Sequence, residues 1–127
     1  EEYERIREDV KGYDGYIFFT PEYNRSVAPA LKNVIDIVSV NTKGNYWDGK
    51  PVAVFSASIG GFGGMASNLA IRQTFSYVNL ITLEQPEVFL AKIHELFDKD
   101  GEMVEDTKKF LQQAVDTYVE HAKKIIG

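Results

Sequence analysis

The chain contains no cysteine and only two histidines, and it has no long hydrophobic run. The lack of cysteine excludes disulfides, thiolate nucleophiles and cysteine-ligated metals, and it is compatible with a reducing compartment. No stretch approaches the roughly 18 apolar residues of a transmembrane helix. The first residues, Glu1–Arg5, are too acidic and polar for a signal peptide. We therefore expect a cytoplasmic protein without a membrane span.

Positive charge is also scarce, since 14 Lys and Arg face 19 Asp and Glu and give a net charge of −5. The basic residues are scattered, which argues against a nucleic-acid partner because phosphate binding needs clustered cations. His94 and His121 lie far apart, and neither has a second ligand at helical spacing. A metal site needs three or four converging ligands, so none is expected. No Ser-His-Asp grouping can be read either, and we name no catalytic residue.

The 127 residues, 44% of them hydrophobic, suit one domain over 1–127. Hydrophobic periodicity predicts alternating helices and strands. We place helices at Tyr3–Lys11, Ala30–Val38, Met65–Val78 and Asp106–Ile126, and strands at Tyr16–Phe19, Pro51–Ala57 and Leu80–Leu83, with extended structure resuming at Val88–Leu90. Gly12 is expected to end the first helix in a left-handed conformation. Ser26 is the expected N-cap of the second helix, with Pro29 in its first turn.

Alternation of this kind predicts an α/β fold with a parallel sheet and helices on its faces. The strand at Tyr16–Phe19 is apolar throughout, and a bare apolar edge strand promotes aggregation. We therefore expect either preceding strands or a partner to cover that edge.

Two loops follow the carboxyl ends of predicted strands, where open α/β sheets place their ligands. The first, Pro21-Glu22-Tyr23-Asn24, combines a rigid proline with an asparagine suited to turns. It can present backbone groups to a flat heterocycle. Two other interpretations remain open, namely an ordinary strand-to-helix loop and a carboxylate of Glu22 that acts as a base.

The second loop has four glycines in five residues, Gly60–Gly64, directly before a helix. Glycine lets a ligand approach the backbone closely, and a helix N-terminus favours anionic groups. From Gly61 the segment matches the dinucleotide fingerprint G-x-G-x-x-A, with Glu84 where a ribose-binding acid is expected. A Rossmann domain and a merely flexible turn are therefore both alternatives. No Walker lysine follows the glycines, which disfavours phosphoryl transfer.

At these loops the sequence resembles the NAD(P)H-dependent flavin reductase family, which includes quinone, chromate and azo-dye reductases. The matching blocks occur in the family's order and cover nearly the whole chain. They are Asp14–Asn24, Ala30–Asn33, Ile35-Asp36, Trp47–Val54, Ser56–Ser58 with the glycine loop, Arg72-Gln73 and Gln85–Phe89.

The resemblance implies a flavodoxin-like three-layer αβα sandwich that binds flavin mononucleotide (FMN). By the same resemblance, hydride would pass from NAD(P)H to the flavin in a ping-pong reaction, and electrons would then pass to a quinone, free flavin or similar small molecule. The chain would form a homodimer or homotetramer. The first loop (Pro21, Glu22, Tyr23 and Asn24) and the second loop (Ser58, Gly60 and Gly61) would line the flavin ring. This placement displaces the Rossmann alternative.

The sequence departs from the family at its start, because Glu1 corresponds to a position after the family's first two strands. The family's phosphate-binding loop has no counterpart here, so we expect the natural protein to be longer and this chain to be its C-terminal two-thirds or so. We expect these residues alone to bind flavin weakly or not at all, and a flavin-free scaffold is the alternative function. Tyr46 and Trp47 are either interface anchors or rings packed over the local loop.

Overall fold

The computed structural model describes residues 1–127. Four α-helices form, and their bounds are α1 Glu2–Lys11, α2 Pro29–Ser39, α3 Met65–Tyr77 and α4 Glu105–Ile126. The strands are β1 Tyr16–Thr20, β2 Pro51–Ala57, β3 Ile81–Thr82 and β4 Val88–Leu90, and a 3-10 helix spans Ile93–Glu95. None of the helices combines the length and the apolar character that crossing a membrane requires.

The sheet is parallel throughout and is centred on β2. On one side β1 pairs along its whole length, from Tyr16 opposite Val52 to Thr20 opposite Ser56. On the other side β3 pairs with the start of β2 and β4 pairs with its end. β3 and β4 therefore form one interrupted line of strand, which confirms the predicted break and the resumption at Val88–Leu90.

Helices cover both faces of the sheet. The larger core lies under α2 and α3, with α1 packed against it, and its fully buried members include Ile35, Val38, Ile71 and Phe75. On the opposite face α4 packs Ala114 and Tyr118 against Ala53, Phe55 and Val88 of the sheet. The three-layer αβα arrangement predicted from the sequence is confirmed.

Trp47 lies inside the larger core and is fully buried. Its indole Nε1 donates a hydrogen bond to the carbonyl oxygen of Ile35 at 3.0 Å. The rings of Tyr16 and Phe18 contact the Trp47 indole edge to face, with their centroids 5.0 and 5.8 Å from the centroid of the indole. The interpretation of Trp47 as an interface anchor is therefore wrong, because the polar connection that carries it folds the ring inward.

Two predicted helix caps are also wrong. α2 begins at Pro29 with Ala28 as its N-cap, and Ser26 instead pairs with Tyr23 in a short antiparallel bridge. Gly12 has φ −74°, an ordinary right-handed conformation, at the end of α1. Pro29 does lie in the first turn of its helix, as predicted. Cap positions depend on where the chain turns next, which local preferences alone do not fix.

Candidate functional site

The carboxyl ends of β1, β2 and β4 meet at one edge of the sheet because the strands are parallel. A mainly apolar cavity of about 240 Å³ opens there. Its lining residues are Phe19, Thr20, Pro21, Phe55, Ser56, Ala57 and Leu90. The rings of Phe19 and Phe55 meet edge to face at 5.5 Å, and Phe19 is 74% exposed. The cavity thus offers apolar surface directly beneath the two predicted ligand loops.

The first loop contains a tight two-residue turn. Tyr23 and Ser26 exchange backbone hydrogen bonds of 3.3 and 3.0 Å, and both central residues have positive φ, 50° at Asn24 and 65° at Arg25. Two consecutive positive φ values define a type I′ turn, in which asparagine is favoured. The N–H groups of Asn24 and Arg25 donate no hydrogen bond within the chain. They are therefore free to meet a ligand.

Glu22 connects the first loop to the helix that follows the second loop. Its Oε1 accepts a hydrogen bond of 3.0 Å from the backbone N–H of Ser67, the third residue of α3. A carboxylate at this position interacts favourably with the positive end of the helix dipole. One oxygen of the Glu22 carboxylate is therefore engaged by α3.

Ser58 fixes the start of the second loop through three hydrogen bonds. Its N–H donates to Leu90 and its carbonyl accepts from Ile93, each at 3.0 Å. Its Oγ accepts from the N–H of Gly60 at 3.0 Å. The N–H of Gly61, the next residue, donates no hydrogen bond within the chain. The loop therefore has a fixed start and leaves Gly61 free to donate.

The glycines of the second loop fall into two pairs. A Cβ at Gly61 would meet nothing within 4 Å, and one at Gly60 would meet only the Ser58 hydroxyl at 3.5 Å. Gly63 and Gly64 have φ of 64° and 78°, and they pack against Phe89 and Ser56. The first pair therefore leaves space beside the backbone, whereas the second pair is required for the chain to fold here.

These features fit a flat aromatic heterocycle with polar edges. Free backbone N–H groups in both loops suit its ring nitrogens and carbonyl oxygens, the open space at Gly60 and Gly61 admits its plane, and the cavity supplies apolar contact. The residues that would hold it are backbone donors rather than side chains with unusual chemistry. The arrangement therefore suits binding of a cofactor that brings its own reactivity.

The predicted site residues are distributed over this edge of the sheet. Pro21 lines the cavity, and the Glu22 side chain is directed to α3. Tyr23 and Asn24 are exposed on the turn, and Ser58, Gly60 and Gly61 follow the end of β2. The hydrogen bond from Ser67 to Glu22 joins the first loop to α3, the helix that follows the second loop.

Sequence reasoning missed the buried pair Ser56 and Asn68 beneath the second loop. The Asn68 amide donates to Ser56 Oγ and to the Val54 carbonyl, both at 3.2 Å, and Ser56 Oγ donates to the Gly63 carbonyl at 2.8 Å. The available signal was an asparagine on the helix face that also carries the apolar Ile71 and Phe75. This pair holds the loop against β2.

The dinucleotide interpretation does not fit. Its phosphate would need the N-terminal N–H groups of α3, where the Glu22 carboxylate already accepts from Ser67. Glu84, the expected ribose ligand, instead pairs with Arg72 at 3.2 Å. A second negative group at this helix end would also face repulsion from Glu22.

Comparison with known proteins gives the following matches. The profile of a family described as NADPH-dependent FMN reductase matches residues 1–95. A quinone reductase of Pseudomonas putida is 38% identical over 123 residues, covering 97% of this chain and 66% of that protein. A 2-hydroxy-1,4-benzoquinone reductase of a Burkholderia species is 34% identical over 114 residues, covering 89% and 62% respectively.

One solved structure is similar over nearly the whole chain. It is the flavoenzyme NAD(P)H:(acceptor) oxidoreductase FerB of Paracoccus denitrificans, with a TM-score of 0.88 and 32% identity. The match covers 97% of this chain and 68% of FerB. The chain thus spans about two-thirds of the length of the proteins it matches.

Proposed function

We propose that this chain, which belongs to the NADPH-dependent FMN reductase family, binds FMN at the two loops. We propose further that its activity is that of an NAD(P)H-dependent flavin and quinone oxidoreductase. The observation that carries the proposal is the pair of loops at the carboxyl ends of neighbouring parallel strands. Both loops have free backbone donors, and both lie above an apolar cavity. Open α/β sheets bind their ligands at this edge.

FMN supplies the redox chemistry when bound, taking hydride from NAD(P)H and then passing electrons to an acceptor in a second, ping-pong half-reaction. The chain's own residues bind and orient the ring. Pro21, Glu22, Tyr23 and Asn24 would do so through the first loop, mainly with backbone groups. Ser58, Gly60 and Gly61 would do so through the second. This chemistry needs no protein acid or base, because the cofactor itself carries it.

A quinone or a related small molecule is the proposed acceptor. The two similar proteins named quinone and benzoquinone reductase support this choice. The exposed ring of Phe19, in edge-to-face contact with Phe55, also offers apolar surface against which a flat acceptor would pack. The reducing compartment that the lack of cysteine suggests, the cytoplasm, is our proposed location.

A homodimer or homotetramer is the proposed assembly. Large apolar side chains are exposed beside the second loop, with Phe62 at 69%, Met65 at 38% and Leu69 at 42% exposure. The last two belong to α3. Contiguous exposed apolar surface of this kind is typical of interfaces. Size-exclusion chromatography with light scattering tests the assembly directly.

The test of the proposed function is a titration of the purified chain with FMN, followed by addition of NADPH without oxygen. We expect quenching of flavin fluorescence on binding and loss of the oxidised flavin's visible absorption on reduction. Adding benzoquinone should then restore that absorption. A chain that leaves the fluorescence of FMN unchanged would contradict the proposal and favour the flavin-free scaffold.

A parallel titration with riboflavin shows which part of the cofactor these residues recognise. The free donors lie in loops suited to the ring, whereas the Ser67 N–H at the start of α3 is used by Glu22. We expect riboflavin and FMN to bind this chain with dissociation constants within about threefold of each other. A much tighter complex with FMN would mean that residues of this chain also bind the phosphate.

A further inference from the structure

Helix α3 lacks an N-terminal cap of its own. Its N-cap residue is Gly64, which offers no side-chain oxygen, and its first turn contains no acidic residue. The first N–H groups of a helix have no partner inside the helix, so they need side chains, water or a ligand. Capping by a local side chain is the usual solution, and the sequence around Gly64 does not provide it.

The missing cap comes from the other loop. Glu22 lies 45 positions earlier in the chain, and its Oε1 accepts from the Ser67 N–H at 3.0 Å. The Glu22 side chain is half-buried, and its hydrogen bond is charge-assisted and stronger than one between neutral groups. One carboxylate therefore both caps α3 and fixes the distance from the first loop to the helix behind the second.

The segments at each end of this contact are well defined. Glu22 directly precedes the type I′ turn of Tyr23–Ser26, which two backbone hydrogen bonds close. On the other side, Gly64 packs against the Ser56 side chain, where an added Cβ would lie 2.9 Å from the Ser56 Cβ. Displacing the carboxylate therefore moves a whole turn relative to the glycine loop, and not a single side chain.

We propose that Glu22 is a positioning residue, whose hydrogen bond to the Ser67 N–H sets the gap between the two loops into which the flavin ring inserts. The inference rests on the proposed function for its ligand. It assigns the Glu22 side chain to α3 and leaves the backbone of the first loop to contact the ring. The length of the side chain and its acceptor oxygen set the distance between the loops, whereas its charge strengthens the hydrogen bond without changing that distance.

Three substitutions of Glu22 separate the effect of side-chain length from the effect of charge. Glu22→Gln keeps the reach and an acceptor oxygen but loses the charge, Glu22→Asp keeps the charge but is one methylene too short, and Glu22→Ala loses both. Glu120→Ala is the matched control, since Glu120 is an exposed carboxylate on α4 with no side-chain hydrogen bond. Melting temperatures of all four variants establish that each is folded.

Two measurements then test the contact and its consequence. Hydrogen exchange without ligand should show faster exchange of the Ser67 amide in Glu22→Ala and Glu22→Asp. In Glu22→Gln and in the Glu120→Ala control, the Ser67 amide should keep its wild-type protection. FMN titration should show affinity weakened about tenfold in Glu22→Ala and Glu22→Asp, the loss expected for one such hydrogen bond. In Glu22→Gln the affinity should stay within about threefold of wild type.

The outcomes distinguish this inference from the proposed function. If the wild-type chain binds FMN and all Glu22 variants bind it equally well, the positioning role is wrong and the proposed function stands. Wild-type affinity for FMN in Glu22→Asp together with weakened affinity in Glu22→Gln would also overturn the role. The charge of the side chain, and not its length, would then determine FMN binding. If the wild-type chain binds no FMN, the proposed function fails and the ring-positioning role fails with it, whatever exchange shows at Ser67.

Discussion

At the scale of single residues, the four glycines before α3 have two different physical roles. Gly60 and Gly61 leave space beside the backbone, whereas Gly63 and Gly64 adopt positive φ and lie against neighbouring backbone and side-chain atoms. In the sequence the four glycines resemble one uniform ligand-binding segment. In the structure only the first two leave room for a ligand, and the last two are packing contacts.

Gly63→Ala tests this division. The added Cβ would lie 2.6 Å from the Phe89 carbonyl oxygen and 2.8 Å from the Ala91 nitrogen, and both are backbone atoms that cannot rotate away. With the left-handed φ of 64° in addition, we expect a loss of roughly 2–4 kcal/mol in the free energy of unfolding. Urea denaturation measures it. Gly61→Ala, which meets open space, is the control and should change stability by less than about 1 kcal/mol.

Tyr16 is one residue through which alkaline pH acts on stability. Burial, the nearby Asp14 carboxylate and Tyr118 raise the pKa of Tyr16 from 10.0 to about 12. Its hydroxyl donates to the Val10 carbonyl at 2.6 Å and accepts from Lys50 Nζ at 3.1 Å. Below pH 10 the Tyr16 phenol is protonated in both the folded and the unfolded protein, so its contribution to stability is fully present. Between about pH 10 and about pH 12 the unfolded chain binds fewer protons, and the free energy of unfolding falls as pH rises.

Tyr16→Phe should therefore flatten the alkaline part of the stability curve. We expect wild type to lose more of its free energy of unfolding than the variant does when pH rises from about 9 to about 12. The slope will not vanish, because burial also raises the pKa of Tyr118. Tyr77→Phe removes a phenol that is 93% exposed, and it should retain the wild-type slope. Equal slopes in all three proteins would contradict the assignment to Tyr16.

At the scale of elements, α3 is fixed to two strands by one buried asparagine. Asn68 is fully buried, and its amide donates to the Val54 carbonyl of β2 and, at 3.4 Å, to the Val88 carbonyl of β4. Its Oδ1 accepts from Arg72 Nε at 2.9 Å. The position of the second loop thus depends on a polar contact in an otherwise apolar layer.

Asn68→Ala should destabilise the protein by roughly 2 kcal/mol or more, because it leaves buried acceptors without donors and opens a cavity. Thermal and urea denaturation measure the loss. Gln73→Ala changes an exposed amide on the same helix and should stay within about 0.5 kcal/mol of wild type. If Asn68→Ala lowered the free energy of unfolding as little as Gln73→Ala does, the buried contacts of Asn68 would contribute little to stability.

At the scale of the whole molecule, the sheet separates two cores of unequal size. The core under α2 and α3 contains nine buried residues, including Trp47, whereas the core under α4 contains five. Only Ala114 and Tyr118 of the 22-residue helix α4 are buried. Regions with few buried apolar contacts open at lower free energy than the rest of a protein.

Amides in the middle of α4 should therefore exchange with solvent faster than those of α3, where Ser67, Asn68, Ile71 and Phe75 are buried. Hydrogen exchange with residue-level resolution checks this under conditions where the protein stays folded. Equal protection in the two helices would instead indicate that both cores open together in one global unfolding step.

Much of the fold was predictable because its signal is local. Continuous apolar runs marked β1 and β2, and helical periodicity marked α3 and α4 to within one residue at each end. The positions of the two candidate loops followed from those elements, since parallel strands bring their carboxyl ends to one edge. The caps at Gly12 and Ser26 were not predictable, because each depends on the direction the chain takes beyond the helix.

The sequence by itself determined the order of the elements, the parallel sheet and the two segments at the candidate site, since these depend on patterns a few residues long. Only the tertiary structure decided that Trp47 is core, that Gly63 packs on Phe89 and that Glu22 caps α3. Each of these contacts joins residues 12 to 45 positions apart. Such a partner is fixed by how the layers pack, and no local pattern contains that information.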